Sequence, residues 1–137
     1  MRPFHLAIAI NDVEETRAFY TTRFDVEVGR EAKKWIDFNF YGHQLSAHVK
    51  PEETSPIKTN GVDGKQVPVK HFGIVLEWQQ WHRLADKLKS LSTVFIIEPY
   101  IRFEGDIGEQ ATMFLQDPSG NALEFKSFKD DKQLFAK

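Results

Sequence analysis

The sequence predicts an α+β fold built of two tandem βαβββ modules. The order strand, helix, three strands can be read twice along the 137 residues. The two readings also align on short matching stretches. Between them lies a segment with prolines and glycines but no periodicity. The expected boundaries are 1–50 for the first module, 51–68 for a linker loop, 69–128 for the second module and 129–137 for a charged tail, all within one structural domain.

In the first half, Pro3 to Ile10 alternates like a strand, with Phe4, Leu6, Ile8 and Ile10 on one face and His5, Ala7 and Ala9 on the other. Asn11 or Asp12 can cap the following helix, and Glu14 and Glu15 suit its first turn. Val13, Arg17, Tyr20 and Phe24 recur at helical spacing. Short strands follow at Val26–Arg30 and Trp35–Tyr41, then a turn at Tyr41-Gly42-His43 and a strand from Gln44 to Val49. Pro51 to Pro68 reads as a long loop.

The order then repeats. Val69 to Leu76 is strand-like, with Phe72, Ile74 and Leu76 opposite His71, Gly73 and Val75. Trp81, Leu84, Ala85, Leu88 and Leu91 mark an amphipathic helix. Strands follow at Val94–Phe103, with Pro99 as a possible break, and at Glu109–Gln116. Asp117 to Asn121 is a turn signal, and Ala122 to Phe128 is the last strand.

Composition excludes several function classes. Hydrophobic residues are 41% of the chain and include 12 phenylalanines, enough for a core. With a net charge of -2 and mixed charges, there is no basic stripe for nucleic acid and no basic amphipathic helix for a membrane surface. No cysteine is present, which rules out disulfides and thiolate metal sites. No segment approaches the roughly 20 apolar residues of a membrane span. The first apolar run lacks the length and flanks of a signal peptide, so a cytoplasmic protein is expected.

Setting Pro3–Ile10 over Val69–Leu76 places His5 on His71. Setting the stretch from Gly42 to Ser46 over Gly120 to Glu124 places Glu124 on Ser46. Each histidine shares its face with small or modest neighbours, which leaves room for an ion and a ligand. Leu123 and Phe125 face the core, so Glu124 faces away from it. Two imidazoles and a carboxylate then share the face opposite the helices, a donor set that suits first-row divalent metals and leaves positions open. The bland alternative is two hydrogen-bonded structural histidines and a solvated or ion-paired glutamate.

Three segments resemble the vicinal oxygen chelate superfamily, which includes glyoxalase I, fosfomycin and bleomycin resistance proteins, and extradiol ring-cleaving dioxygenases. They are Phe4 to Ile8, Lys70 to Ile74, and Phe114 to Phe125, the last containing the Asp117-Pro118-Ser119-Gly120-Asn121-Ala122-Leu123-Glu124 pattern of the superfamily's closing hairpin. The resemblance implies paired modules whose mixed sheets curl into a cup around one divalent metal held by His5, His71 and Glu124. Ser46 stands where glyoxalase I enzymes place another carboxylate, which counts against that activity. Two His and one Glu match the extradiol pattern, in which ferrous iron binds a catecholate and O2. The stretches Gly42 to Leu45 and Gly108 to Phe114 are similar to small bacterial proteins described as predicted extradiol-type dioxygenases.

The function expected from this resemblance is a metal-dependent dioxygenase acting on a small catechol-like substrate, with Fe(II) favoured and Mn, Zn, Ni or Co as alternatives. A lyase, isomerase or transferase on the same scaffold, or a protein that sequesters a small molecule, are the other readings. A homodimer is expected from the family.

Among the remaining polar residues, His48 shares the face of Ser46 and is a candidate acid/base group, with ligand and structural roles as alternatives. Tyr100, Arg102 and Gln110 are candidate substrate-binding residues. Arg102 can pair with a carboxylate or make a surface ion pair, and Gln110 and Thr112 can line the cup or be ordinary strand polarity. His43 is expected at an exposed turn, and His82 beside Trp81 facing solvent. Trp35 and Phe38 are expected as pocket wall, core or dimer interface.

Overall fold

A computed structural model of the chain describes residues 1–56 and 67–137. These fall into two compact units, one of residues 1–56 with 117–121 and one of residues 67–116 with 122–137. Of the expected 51–68 loop, Pro51–Glu53 forms one 3-10 turn, and positions 57–66 lie outside the described residues. Among the described residues no helix is long and apolar enough to cross a membrane.

The first unit contains β1 (His5–Ile10), α1 (Val13–Phe24), β2 (Glu27–Ala32), β3 (Trp35–Phe40) and β4 (His43–Val49). Asp12 starts α1 by accepting from the Glu15 N–H at 2.7 Å, and Asp25 ends it in the left-handed region at φ 52°. The helix buries Val13, Thr16, Phe19, Tyr20 and Phe24. Thr16 tolerates burial because its hydroxyl donates to the Asp12 carbonyl. Tyr20 stacks on Phe38 with ring centroids 5.1 Å apart, and Phe19, Phe24 and Phe40 surround it edge-on or tilted. The strands order as β1-β4-β3-β2, with β1 parallel to β4 and the other pairs antiparallel.

The turn 117–121 packs with this unit. Asp117 is buried and accepts from the Tyr20 hydroxyl, the Ser119 and Asn121 N–H groups and the Asn121 side-chain amide, all at 2.8–2.9 Å. Burial pushes its carboxyl above the usual value, against the hydrogen bonds that pull it down. Asn121 also donates to the Ala9 carbonyl, and Ser119 accepts from the Asn11 N–H. Gly120 sits at φ +84°, and a Cβ there would lie 2.1 Å from the Ser55 carbonyl oxygen.

The second unit contains β5 (Phe72–Val75), α2 (Trp78–Ser90), β6 (Phe95–Arg102), β7 (Gln110–Gln116) and β8 (Ala122–Phe128). Trp81, Leu84, Ala85 and Leu88 form the buried stripe of α2. The Trp81 indole N–H donates to the Phe125 carbonyl at 2.8 Å, so the large ring is buried without an orphan donor. Leu91, expected on the stripe, caps the helix instead and is exposed. The β6–β7 register slips between Ile97 and Tyr100, the stretch containing Pro99, which has no N–H for the ladder. The strand order β5-β8-β7-β6 repeats that of the first unit, again with one parallel and two antiparallel pairs.

The registers make the internal repeat quantitative. Ala7 lies opposite Ser46 in the first unit, and Gly73 lies opposite Glu124 in the second. His5 and His71 each stand two residues before these positions. One difference from expectation concerns His71. The strand was expected from Val69, but β5 begins at Phe72, so His71 lies just before it. The extended segment is shorter because Val69 and Lys70 form a bend.

Candidate metal centre

In the second unit, alternation along β8 sends Leu123 and Phe125, both fully buried, toward α2. Glu124 therefore projects from the other face, with its side chain 14% exposed. His71 reaches the same face, and its Nε2 lies 3.1 Å from Glu124 Oε2. The other carboxylate oxygen accepts from the Thr112 hydroxyl at 2.8 Å and has the Lys126 ammonium at 3.8 Å. Phe114, paired with Glu124 across the ladder, meets the His71 ring edge-on at 5.1 Å.

The tautomer of a neutral His71 follows from its second contact. Nδ1 faces the Pro68 carbonyl oxygen, which only accepts, so Nδ1 carries the hydrogen. In the neutral ring Nε2 then presents a lone pair to a carboxylate oxygen. Two acceptors 3.1 Å apart are compatible only with a proton or a cation between them. Donors bound at about 2.0–2.2 Å to one ion, roughly at right angles, are about 3 Å apart. The pair therefore fits a metal ion, and equally an imidazolium–carboxylate contact in its absence.

The tight approach of β5 to β8 helps create this arrangement. A Cβ on Gly73 would lie 1.5 Å from the Glu124 carbonyl oxygen. Only glycine allows β5, which begins directly after His71, to run so close to the strand carrying Glu124.

In the first unit, His5 Nδ1 lies 2.9 Å from Gln44 Oε1, and Gln44 Nε2 lies 3.3 Å from Asp37 Oδ2. Ser46, at the position corresponding to Glu124, is buried beside Asp37 and Ala7. His48 is exposed and pairs with Ala9 and Trp35. It is four residues beyond Gln44, about 13 Å along the strand by strand rise. A cleft of about 390 Å³ is lined by residues that include Arg30, Asp37, His43 and Gln44. His43 is half-buried rather than at an exposed turn, because its Nδ1 accepts the Phe4 N–H at 2.9 Å. Phe38 is core, and Trp35 is half-buried.

The three residues expected to bind substrate lie on the second sheet. Tyr100 pairs with Thr112 and packs on the cluster of Ile96, Ile97, Phe114 and Ala122. Arg102 pairs with Gln110, is exposed, and lays its guanidinium over the Phe103 ring at 5.0 Å. Gln110 is half-buried and donates to the Gly108 carbonyl at 3.4 Å. His82 sits between Trp78 and Trp81, with ring centroids about 5 Å from each.

His71 and Glu124 are thus brought together within one unit, while His5 is set by Gln44 and Asp37 in the other. Among the described residues, no three His, Cys, Asp or Glu side chains form a metal-holding group. Sequence reading missed Gln44, Asp37 and Lys126. Period-2 alternation places all three on the same faces as the histidines and Glu124, so the signal was present.

The chain matches the family model of the Glyoxalase/Bleomycin resistance protein/Dioxygenase superfamily over residues 2–125. A solved glyoxalase/bleomycin resistance protein/dioxygenase from Alicyclobacillus acidocaldarius is 32% identical, with a TM-score of 0.77, covering 97% of this chain and 96% of its own. The fosfomycin resistance protein FosX of Listeria monocytogenes has a TM-score of 0.69 at 15% identity, covering 95% of this chain and 94% of its own. Lactoylglutathione lyase of Agrobacterium tumefaciens has a TM-score of 0.68 at 17% identity, covering 98% and 96%. The likeness to these last two is one of fold. No curated protein matches the sequence. The chain belongs to the Glyoxalase/Bleomycin resistance protein/Dioxygenase superfamily.

Proposed function

We propose that this superfamily member is a metal-dependent enzyme that holds one divalent ion on His71 and Glu124, with His5 as third ligand. Its substrate is a small molecule with two vicinal oxygens. The observation that carries the reading is the 3.1 Å approach of His71 Nε2 to Glu124 Oε2 while His71 Nδ1 is committed to a carbonyl. The third ligand rests on the family resemblance and on the repeat that pairs His5 with His71.

Two imidazoles and one carboxylate leave positions open for a bidentate oxygen ligand. Ferrous iron and extradiol-type dioxygenation suit this set best, with Mn, Zn, Ni or Co as alternatives. When bound, the metal supplies a Lewis acid for the two substrate oxygens and, if ferrous, an electron path to O2. The protein's own contribution is orientation and proton handling. Thr112 and Lys126 hold one oxygen of Glu124, which leaves Oε2 for the His71 side. Tyr100, Gln110 and Arg102 follow one another along the same sheet face and are proposed to contact substrate. His48 is proposed to take a proton from a substrate hydroxyl, acting on the substrate because it is far along β4 from Gln44.

A lyase or isomerase using a non-redox metal is the second reading. Ser46 at the position matching Glu124 weighs against a glyoxalase I type with a second carboxylate. A homodimer is proposed from the family, and light scattering tests it.

The decisive experiment is anaerobic purification with metal analysis, followed by O2 uptake across a series of catechols. His5→Ala, His71→Ala and Glu124→Ala should each weaken metal binding by about 100-fold or more, beyond what loss of an outer hydrogen bond causes. Unchanged metal content in all three variants would overturn the site. His48→Ala should keep its metal and lose about 10²- to 10⁴-fold in turnover.

A further inference from the structure

We infer that Gln44, oriented by Asp37, fixes the ring tautomer of His5 and makes Nε2 the nitrogen able to donate a lone pair to a metal. The metal half of this statement rests on the reading above; the tautomer half stands on hydrogen-bond chemistry alone.

An ionised Asp37 only accepts hydrogen bonds, so the Gln44 atom 3.3 Å from Oδ2 must be the amide nitrogen. That sets the amide plane and turns Oε1 toward His5, 2.9 Å from Nδ1. A carbonyl oxygen also only accepts, so Nδ1 carries the hydrogen. A neutral imidazole has one N–H, which leaves Nε2 bare. The backbone supports the relay. His5 is in register with Gln44 across the parallel pair, and Asp37 is in register with Ser46, two residues along β4 on the same face.

The second unit places a hydrogen on Nδ1 by another route. Ala122 occupies the position of Gln44, since it precedes Glu124 by the same two residues by which Gln44 precedes Ser46. It has no polar group to offer, and the Pro68 carbonyl takes the Nδ1 hydrogen of His71 instead. The two histidines are therefore both presented through Nε2. One is held by a side-chain relay that mutation can remove, the other by backbone. Outer partners of this kind change metal affinity by about 10- to 100-fold when lost.

The test uses metal-free protein labelled with ¹⁵N-histidine. A two-bond ¹H–¹⁵N spectrum reads which ring nitrogen carries the proton, and His5→Ala assigns the His5 signals. Wild type should show His5 protonated at Nδ1. Gln44→Ala should move His5 to a mixture or to the Nε2–H form, and a zinc titration should weaken by about 10- to 100-fold. The double variant Gln44→Glu/Asp37→Asn reverses the polarity of the outer link but keeps an acceptor facing Nδ1, so it should retain both tautomer and zinc affinity. The melting temperature of Gln44→Ala should be unchanged, since Gln44 is exposed. His5 protonated at Nε2 in wild type, or a tautomer that ignores Gln44→Ala, overturns the inference. So does a double variant as impaired as Gln44→Ala. The zinc affinity of His5→Ala judges the metal reading separately. If it equals wild type, His5 is not a ligand even where the tautomer result holds.

Discussion

In the first unit the residue opposite Ala7 is a buried serine, and in the second the residue opposite Gly73 is a carboxylate facing a histidine. The strand order and parallel register are the same, yet the polar groups are placed differently. The first unit spends its buried carboxylate on architecture, where Asp117 gathers four donors under a cluster of aromatic rings. The second places its carboxylate on the face away from its helix, where Glu124 Oε2 meets His71 Nε2 at 3.1 Å. One acid sits in a turn packed into the core and the other on a strand, facing away from the helix, and on the proposed reading only the second is a ligand. A buried carboxylate must be saturated with donors, whereas a ligand must keep a lone pair uncommitted.

Asp117 carries the largest expected effect. Asp117→Ala leaves buried donors from Tyr20, Ser119 and Asn121 without an acceptor and should cost about 3–4 kcal/mol. Thermal unfolding should show a melting temperature lower by roughly 10 °C. A loss below about 1 kcal/mol would mean that the turn is not an anchor.

Next is Gly73. Gly73→Ala forces a Cβ onto the Glu124 carbonyl and should cost about 2–3 kcal/mol while weakening metal binding. The matching change in the first unit, Ala7→Gly, should cost only about 0.5–1 kcal/mol. Equal effects would show that the closer approach in the second unit is unimportant.

Thr112→Val keeps shape and removes one hydrogen bond to Glu124. It should lower metal affinity by about 10-fold with little change in melting temperature, as isothermal titration with zinc would show. If affinity is unchanged, Lys126 alone orients the carboxylate.

The smallest effects concern pH. Burial pushes the Tyr20 phenol well above its ordinary value of 10.0, helped by the nearby Asp117 charge. The folded chain then keeps a proton that the unfolded chain loses as pH passes about 10, so stability falls above that point. Tyr41, pushed up to about 12 by burial, adds to the same limb. Asp117 acts with the same sign at acid pH. Its folded carboxyl titrates above 3.8, so its contribution declines as pH rises through the window from that value upward. Tyr20→Phe should flatten the alkaline limb measured by denaturant titration between pH 8 and about 11. An unaltered slope would assign the limb to other groups.

Most elements were legible because their signals are local. Asp12 capped α1 as its side chain predicts, the period-2 runs became strands, although β5 starts at Phe72 rather than Val69, and Pro99 fell in the irregular stretch of β6. The alignment of Ser46 with Glu124 was also readable, because strand alternation ties sequence spacing to facing. What stayed hidden depended on partners distant in sequence. Nothing local announces that Tyr20 donates to Asp117, 97 residues away. Gln44 stood only as one residue of a strand and of a resemblance stretch, and its link to His5 and Asp37 needs the neighbours across the sheet. The sequence by itself determined the repeated order of elements and the residue types that can bind a metal. Tertiary structure alone decided which lone pairs those residues keep, since a ring nitrogen or carboxylate oxygen is committed only by the group that folding sets against it.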